Sequence, residues 1–152
     1  MVIALTRRAL SAFLALGLAS LAAKAATPEE AAIVTLMVKS FDRPDARLEV
    51  EPVVVAGDHA VAGWSQGPLA GRALLRREHG GWRIVLCAGD AIRSAEGLKH
   101  VGVPARAAAT LATRLAEAEQ SVAPERLRAF AGFGETVFMD GGAHPPAAHR
   151  QP

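Results

Sequence analysis

From Arg47 to Ala88 the apolar residues recur every second position. Three turn signals, Gly57-Asp58, Gly67-Pro68 and Gly80-Gly81, cut that stretch into four pieces. A period of two buries one face of a strand, and short glycine-containing turns join antiparallel neighbours. The middle of the chain therefore reads as a four-stranded antiparallel meander. Leu48 and Val50 alternate with Glu49 and Glu51 ahead of Val53-Val54-Val55, and His59-Ala60-Val61-Ala62-Gly63-Trp64 reads as the returning strand. Pro52 has no N–H to give to a ladder, which places the first strand at an edge. Taking Gly80-Gly81 as a two-residue loop sets Glu78 opposite Arg83, Leu75 opposite Leu86 and Leu74 opposite Cys87. Leu75, Trp82, Ile84 and Leu86 then share one face, and Leu74, Val85 and Cys87 the other.

Helices flank this sheet. Thr27-Pro28-Glu29-Glu30 carries a capping residue, a proline at the first helical position and a glutamate three residues after the cap. Val34, Met37, Val38 and Phe41 follow as an apolar stripe, and Pro44 stops the helix. After the strands, Asp90 reads as the cap of a short helix over 91–99 with Ile92, Ala95 and Leu98 inward. Pro104 opens a longer helix carrying Leu111, Leu115, Ala118 and Val122, and Pro124 another carrying Leu127 and Phe130. The class is α+β: an N-terminal helix, a four-stranded antiparallel meander and C-terminal helices. Cystatin-like and nuclear-transport-factor-like folds share this order, an analogy of fold that says nothing of function.

Residues 1–25 read as an address. Arg7 and Arg8 precede an uncharged run over 9–23, and Ala23-Lys24-Ala25 supplies a small-x-small cleavage pattern. The run falls short of the roughly 20 apolar residues that cross a membrane, so a cleaved signal peptide and a periplasmic protein are expected. No span remains after its removal. The full chain has 17 basic and 15 acidic residues, a net charge of +2. Loss of Arg7, Arg8 and Lys24 leaves 14 basic against 15 acidic residues, a net charge of −1. That balance gives no electrostatic footprint for nucleic acid. Residues 26–140 then form one domain, and the Gly-, Pro- and His-containing stretch 141–152 a disordered tail.

Chemistry-bearing residues are few. No Gly-x-Ser-x-Gly, Ser-x-x-Lys or phosphate-binding glycine loop occurs, and no enzyme activity is expected. Cys87 is the single cysteine, so it forms no internal disulfide. It reads as a small buried hydrophobe, a soft-metal ligand or an intermolecular disulfide partner. A reactive thiol would need a base or cation beside it, such as His59 or His79. His59 lies next to a turn, and His144 and His149 share the tail, where histidines can bind metal. Trp64 and Gln66 could line a pocket between sheet and helices, or Trp64 could fill the core.

The stretch Val50-Glu51-Pro52-Val53-Val54-Val55-Ala56-Gly57-Asp58-His59-Ala60-Val61-Ala62-Gly63-Trp64-Ser65-Gln66-Gly67 resembles bacterial proteins of the copper uptake system-associated family. So do Gly71-Arg72-Ala73-Leu74-Leu75-Arg76-Arg77, Trp82 and Leu86-Cys87-Ala88-Gly89-Asp90. The resemblance covers nearly all of the mature chain. It implies a periplasmic, non-enzymatic accessory protein with copper-uptake or copper-handling proteins of the envelope as partners. Tails in that family are richer in histidine than this one. The expectation is weak Cu(I) binding through Cys87 and His59, or presentation of copper by His144 and His149. The competing expectation is a metal-free binding module for a small organic ligand or a partner protein, with Trp64 and Gln66 in its pocket.

Overall fold

The computed structural model describes residues 25–139. The N-terminal segment read as a signal peptide and the C-terminal residues with His144 and His149 lie outside them. No helix among the described residues is long and apolar enough to cross a membrane.

Helix α1 (Pro28–Phe41) opens on the expected capping box. The Thr27 hydroxyl accepts from the Glu30 N–H at 3.2 Å, and the Glu30 carboxylate accepts from the Thr27 N–H at 2.8 Å. Of the expected stripe Met37 is buried, Val34 and Val38 are partly buried and Phe41 is exposed, while Ile33, which the spacing did not single out, is fully buried. The helix packs beside the first strand, so its core-facing line runs about one residue away from the one the spacing suggests.

The sheet is a meander in the order β1-β2-β3-β4-β5, antiparallel throughout. Its strands are β1 (Leu48–Ala56), β2 (His59–Gln66), β3 (Leu69–Glu78), β4 (Gly81–Ala88) and β5 (Val137–Phe138). The α+β class and the meander stand as read, with one strand more than expected. β5 is a two-residue return from beyond the helices, too short to leave a periodic signal. β1 is an edge strand, as Pro52 requires. The ladder skips between Val50 and Val53, leaving Glu51 and Pro52 opposite Gly63 in a bulge that needs no proline N–H.

The β3–β4 register differs from the expected one. Glu78 pairs with Gly81, Arg77 with Trp82, Arg76 with Arg83 and Leu75 with Ile84. The loop is therefore His79-Gly80, with φ of 46° and 81°. A two-residue turn with both residues left-handed matches the twist of the strands it joins, and histidine tolerates that region better than branched residues do. Further along, Leu74 pairs with Leu86, so Val85 is an extra residue on β4. This bulge exchanges the faces of Leu86 and Cys87 relative to the expected pattern.

Two cores result. On one face α1 covers Ala60, Ala62, Ala73, Leu75, Ile84 and Cys87. On the other, helices α2 (Ala95–His100) and α3 (Ala105–Glu119) cover Val54, Val61, Leu74, Leu86 and Ala88 through Leu98, Leu111 and Leu115. The expected single helix over 91–99 is two elements: a 3-10 turn (Asp90–Ile92), then α2 capped by Ser94, whose hydroxyl accepts from the Gly97 N–H at 3.1 Å. Asp90 is not a cap; its carboxylate accepts from Arg72 at 3.0 Å. Helix α4 (Pro124–Ala131) buries Phe130 completely.

Candidate functional site

Cys87 sits near the end of β4, on the α1 side of the sheet, and is 6% exposed. The Val85 bulge turns it toward that side. Around it lie Trp64 from β2 and Phe133 from the segment after α4. The two rings meet edge to face, 5.6 Å between centroids. Met37 of α1 belongs to the same core, and Met139 packs against it. Every sulfur-bearing side chain of the described residues (Met37, Cys87 and Met139) thus lies in one cluster.

Burial pushes the Cys87 thiol up to about 11. The Trp64 indole acts in the opposite direction, favouring the thiolate, and loses. Its N–H is buried and its approach to the thiol falls short of hydrogen-bond geometry. About one thiol in ten thousand is ionised at pH 7 on that value. An activated nucleophile requires the reverse environment. Alkylation of the native protein by iodoacetamide should therefore run at least about a hundredfold slower at pH 8 than in the urea-unfolded chain. It should rise about tenfold per pH unit, following the thiolate. Equal rates in native and unfolded protein would overturn this reading of Cys87.

His59 does not join Cys87. It pairs with Arg76 on β3, which pairs with Arg83 on β4, in a row on the opposite face of the sheet. Burial lowers the His59 pKa, Arg76 lowers it further, and Asp58 opposes them. One ion cannot bind both residues. His79 projects from the turn at the far end of the hairpin. Among the described residues no group of three or more His, Cys, Asp or Glu side chains could hold a metal. His144 and His149 are outside them.

Trp64 and Gln66 both lie near the end of β2 and are partly buried. The Gln66 amide donates to the carbonyls of Phe41 at 2.6 Å and Ala46 at 2.8 Å, tying the segment after α1 to the sheet. Trp64 is core. A groove lies between the start of α1 and the β3–β4 turn. It holds about 410 Å³ and is lined by Glu29, Ala32, Leu36, Arg77, Gly81 and Trp82 among others. Arg77 stacks over the Trp82 ring, 4.5 Å from its centroid, and pairs with Glu29.

No family model, curated protein or solved structure matches the chain.

One constellation escaped the sequence reading. Arg72 of β3 is 1% exposed and Glu119 at the end of α3 is 3% exposed. Arg72 Nε donates to Glu119 at 2.6 Å, and Arg93 Nε donates to its other oxygen at 3.2 Å. The Arg72 guanidinium also lies over the Phe130 ring at 5.2 Å. These contacts tie β3, the 3-10 turn, α3 and α4 together. A signal was present: Leu111, Leu115 and Glu119 are spaced by four, so Glu119 falls on the apolar face of α3. Two cations, Arg72 and Arg93, meet two carboxylates, Glu119 and Asp90, so the charges of the network balance.

Proposed function

We propose that the mature domain is a non-enzymatic accessory protein of the cell envelope, associated with copper uptake or handling, that binds Cu(I) weakly as cargo. The observation that carries the reading is that Met37 and Cys87 belong to the core under α1 and that Met139 and Trp64 pack against it. Thiolate and thioether sulfurs are the soft donors that Cu(I) prefers. The family resemblance and the signal-like segment support the same reading. The ligand set is revised: His59 leaves it because it lies across the sheet, and the two methionines enter.

The environment explains why binding would be weak. The ion must displace the Cys87 proton and enter an apolar core. Apparent affinity should rise about tenfold per pH unit from pH 6 to 8, since each bound ion releases one proton from a thiol held near 11. An anaerobic Cu(I) competition titration against a chromogenic chelator tests this. We expect one ion per chain, a loss of at least tenfold in Cys87→Ser, a smaller loss in Met37→Leu/Met139→Leu, and no change in His59→Ala. Wild-type affinity in Cys87→Ser, or affinity independent of pH, would overturn the proposal.

The groove between α1 and the β3–β4 turn favours a second reading, a metal-free module for a small organic ligand or partner protein. Trp82 lies in its wall. Quenching of Trp82 fluorescence by such a ligand, lost in Arg77→Ala and unaffected by copper, would favour that reading over the first.

A further inference from the structure

Helix α1 packs chiefly on β1 and only lightly on β4, and the groove of about 410 Å³ lies between its first turns and the β3–β4 turn. Ala32 and Leu36 give it an apolar wall, and Gly80 and Gly81 a rim without side chains. Opposite α1 stand Arg77 and Trp82, paired across β3 and β4 and so on one face of the sheet. The Arg77 guanidinium lies 4.5 Å from the Trp82 ring centroid. Glu29 of α1 pairs with its Nη2, and a carboxylate oxygen of Asp58, in the β1–β2 turn, lies 3.5 Å from its Nε. Three side chains from three elements thus hold one planar cation in place. Arg77 nonetheless lines the groove, with its side chain 31% exposed.

We propose that this groove takes a flat, uncharged aromatic ligand, stacked on the face of Arg77 that Trp82 does not cover. The proposal rests on the second reading above, a module for a small organic ligand, and narrows it to one chemical class. Shape argues for it. A guanidinium is planar and stacks on aromatic faces. With Trp82 behind it and two carboxylates at its edge, Arg77 has given up its rotamer freedom before a ligand arrives, so stacking does not have to order it. Charge argues for it too. One guanidinium faces two carboxylates, so the balance at this end of the groove is negative. The neighbouring Arg76 and Arg83 pair with each other on the opposite face of the sheet. An anionic ring would meet Glu29 and Asp58 on its way to Arg77. A cationic ring would be repelled by the guanidinium it must stack on. A neutral ring meets neither penalty, and Ala32 and Leu36 cover its other side. Gly80 and Gly81 leave the end of the groove open: a Cβ at Gly80 would meet nothing within 4 Å.

NMR titration of the isotope-labelled mature chain tests the assignment. Phenol is the flat neutral probe, cyclohexanol its puckered counterpart and benzoate its anionic one. Phenol should shift the amides of Gly80 and Gly81 and the Arg77 Nε–H, with a dissociation constant on the order of millimolar for so small a ligand. Cyclohexanol and benzoate should bind at least about fivefold more weakly. Arg77→Lys keeps a cation beside Glu29 but removes the plane; it should weaken phenol at least about fivefold and leave cyclohexanol unchanged. Glu29→Gln/Asp58→Asn removes both carboxylates, and should strengthen benzoate about threefold or more while phenol, whose platform loses its tethers, weakens. The spectra of the variants report their folding in the same experiment. Phenol bound no more tightly than cyclohexanol, or bound equally by Arg77→Lys, would overturn the proposal and leave a small-ligand groove standing. If none of the three probes shifts Gly80 or Gly81, the proposal and the small-ligand reading fall together.

Discussion

Arg72→Met should destabilise the domain by about 3–5 kcal/mol, and Glu119→Leu by a similar amount, while the double variant should recover most of the loss. The reason is the asymmetry of buried ion pairs: removing one partner strands a charge without water, whereas removing both strands none. Arg72 and Glu119 are almost wholly excluded from solvent and 2.6 Å apart. Their remaining partners are in a different position. The Asp90 and Arg93 side chains are more than half exposed, so water takes over when the buried pair is gone. Phe130 under the Arg72 guanidinium then packs on a methionine, which suits an aromatic face. Urea unfolding of the four proteins yields the coupling energy directly. Moderate salt should leave it unchanged, since ions do not reach a pair this deep. Single variants within about 1 kcal/mol of wild type, or a double variant as unstable as the two singles added, would refute the account.

The same pair shows what the sequence could carry and what it could not. Local features were legible. The Thr27–Glu30 box is written within four residues, and the structure has both of its hydrogen bonds. Pro52 marked an edge strand because the missing N–H is a property of one residue. The meander followed from turns and alternation. The register of β3 and β4 did not follow, because His79-Gly80 and Gly80-Gly81 are both acceptable turns locally. Alternation could not decide between them where Ile84, Leu86, Cys87 and Ala88 are all buried. A strand buried on both faces carries no in-out pattern to fix its bulge. The placement of Cys87 depended on that bulge, so its face, its sulfur neighbours and its separation from His59 were all hidden. Arg72 and Glu119 are 47 residues apart, and no local pattern pairs them. Their individual placement was nonetheless readable, Glu119 from the spacing of four and Arg72 as one charge inside the apolar run of β3.

Gly97→Ala should destabilise the domain by about 2–4 kcal/mol, although helix propensity alone predicts a gain of about 1 kcal/mol. Gly97 lies inside α2, at the third position of a six-residue helix. It has no need of a left-handed conformation, and in isolation alanine is the better helix former. The obstacle is what faces it. A Cβ at Gly97 would fall within the carbonyl oxygen of Ala91, a backbone atom of the preceding 3-10 turn that cannot swing away like a side chain. The turn is fixed in its own right by Ile92 in the core and by the Arg72 contact to Asp90. Either α2 lifts, dragging Leu98 out of the core it shares with Leu111 and Leu115, or the turn shifts and loosens the Arg72 contact to Asp90. Each route gives up interactions larger than the propensity gained. Thermal unfolding of Gly97→Ala against a control at an exposed position of α2, Lys99→Ala, separates the effects. The control should change stability by no more than about 0.5 kcal/mol. A Gly97→Ala protein as stable as wild type would mean that α2 does not approach the 3-10 turn as described. If the route runs through the turn, Gly97→Ala and Arg72→Met should be non-additive, because both release the same segment.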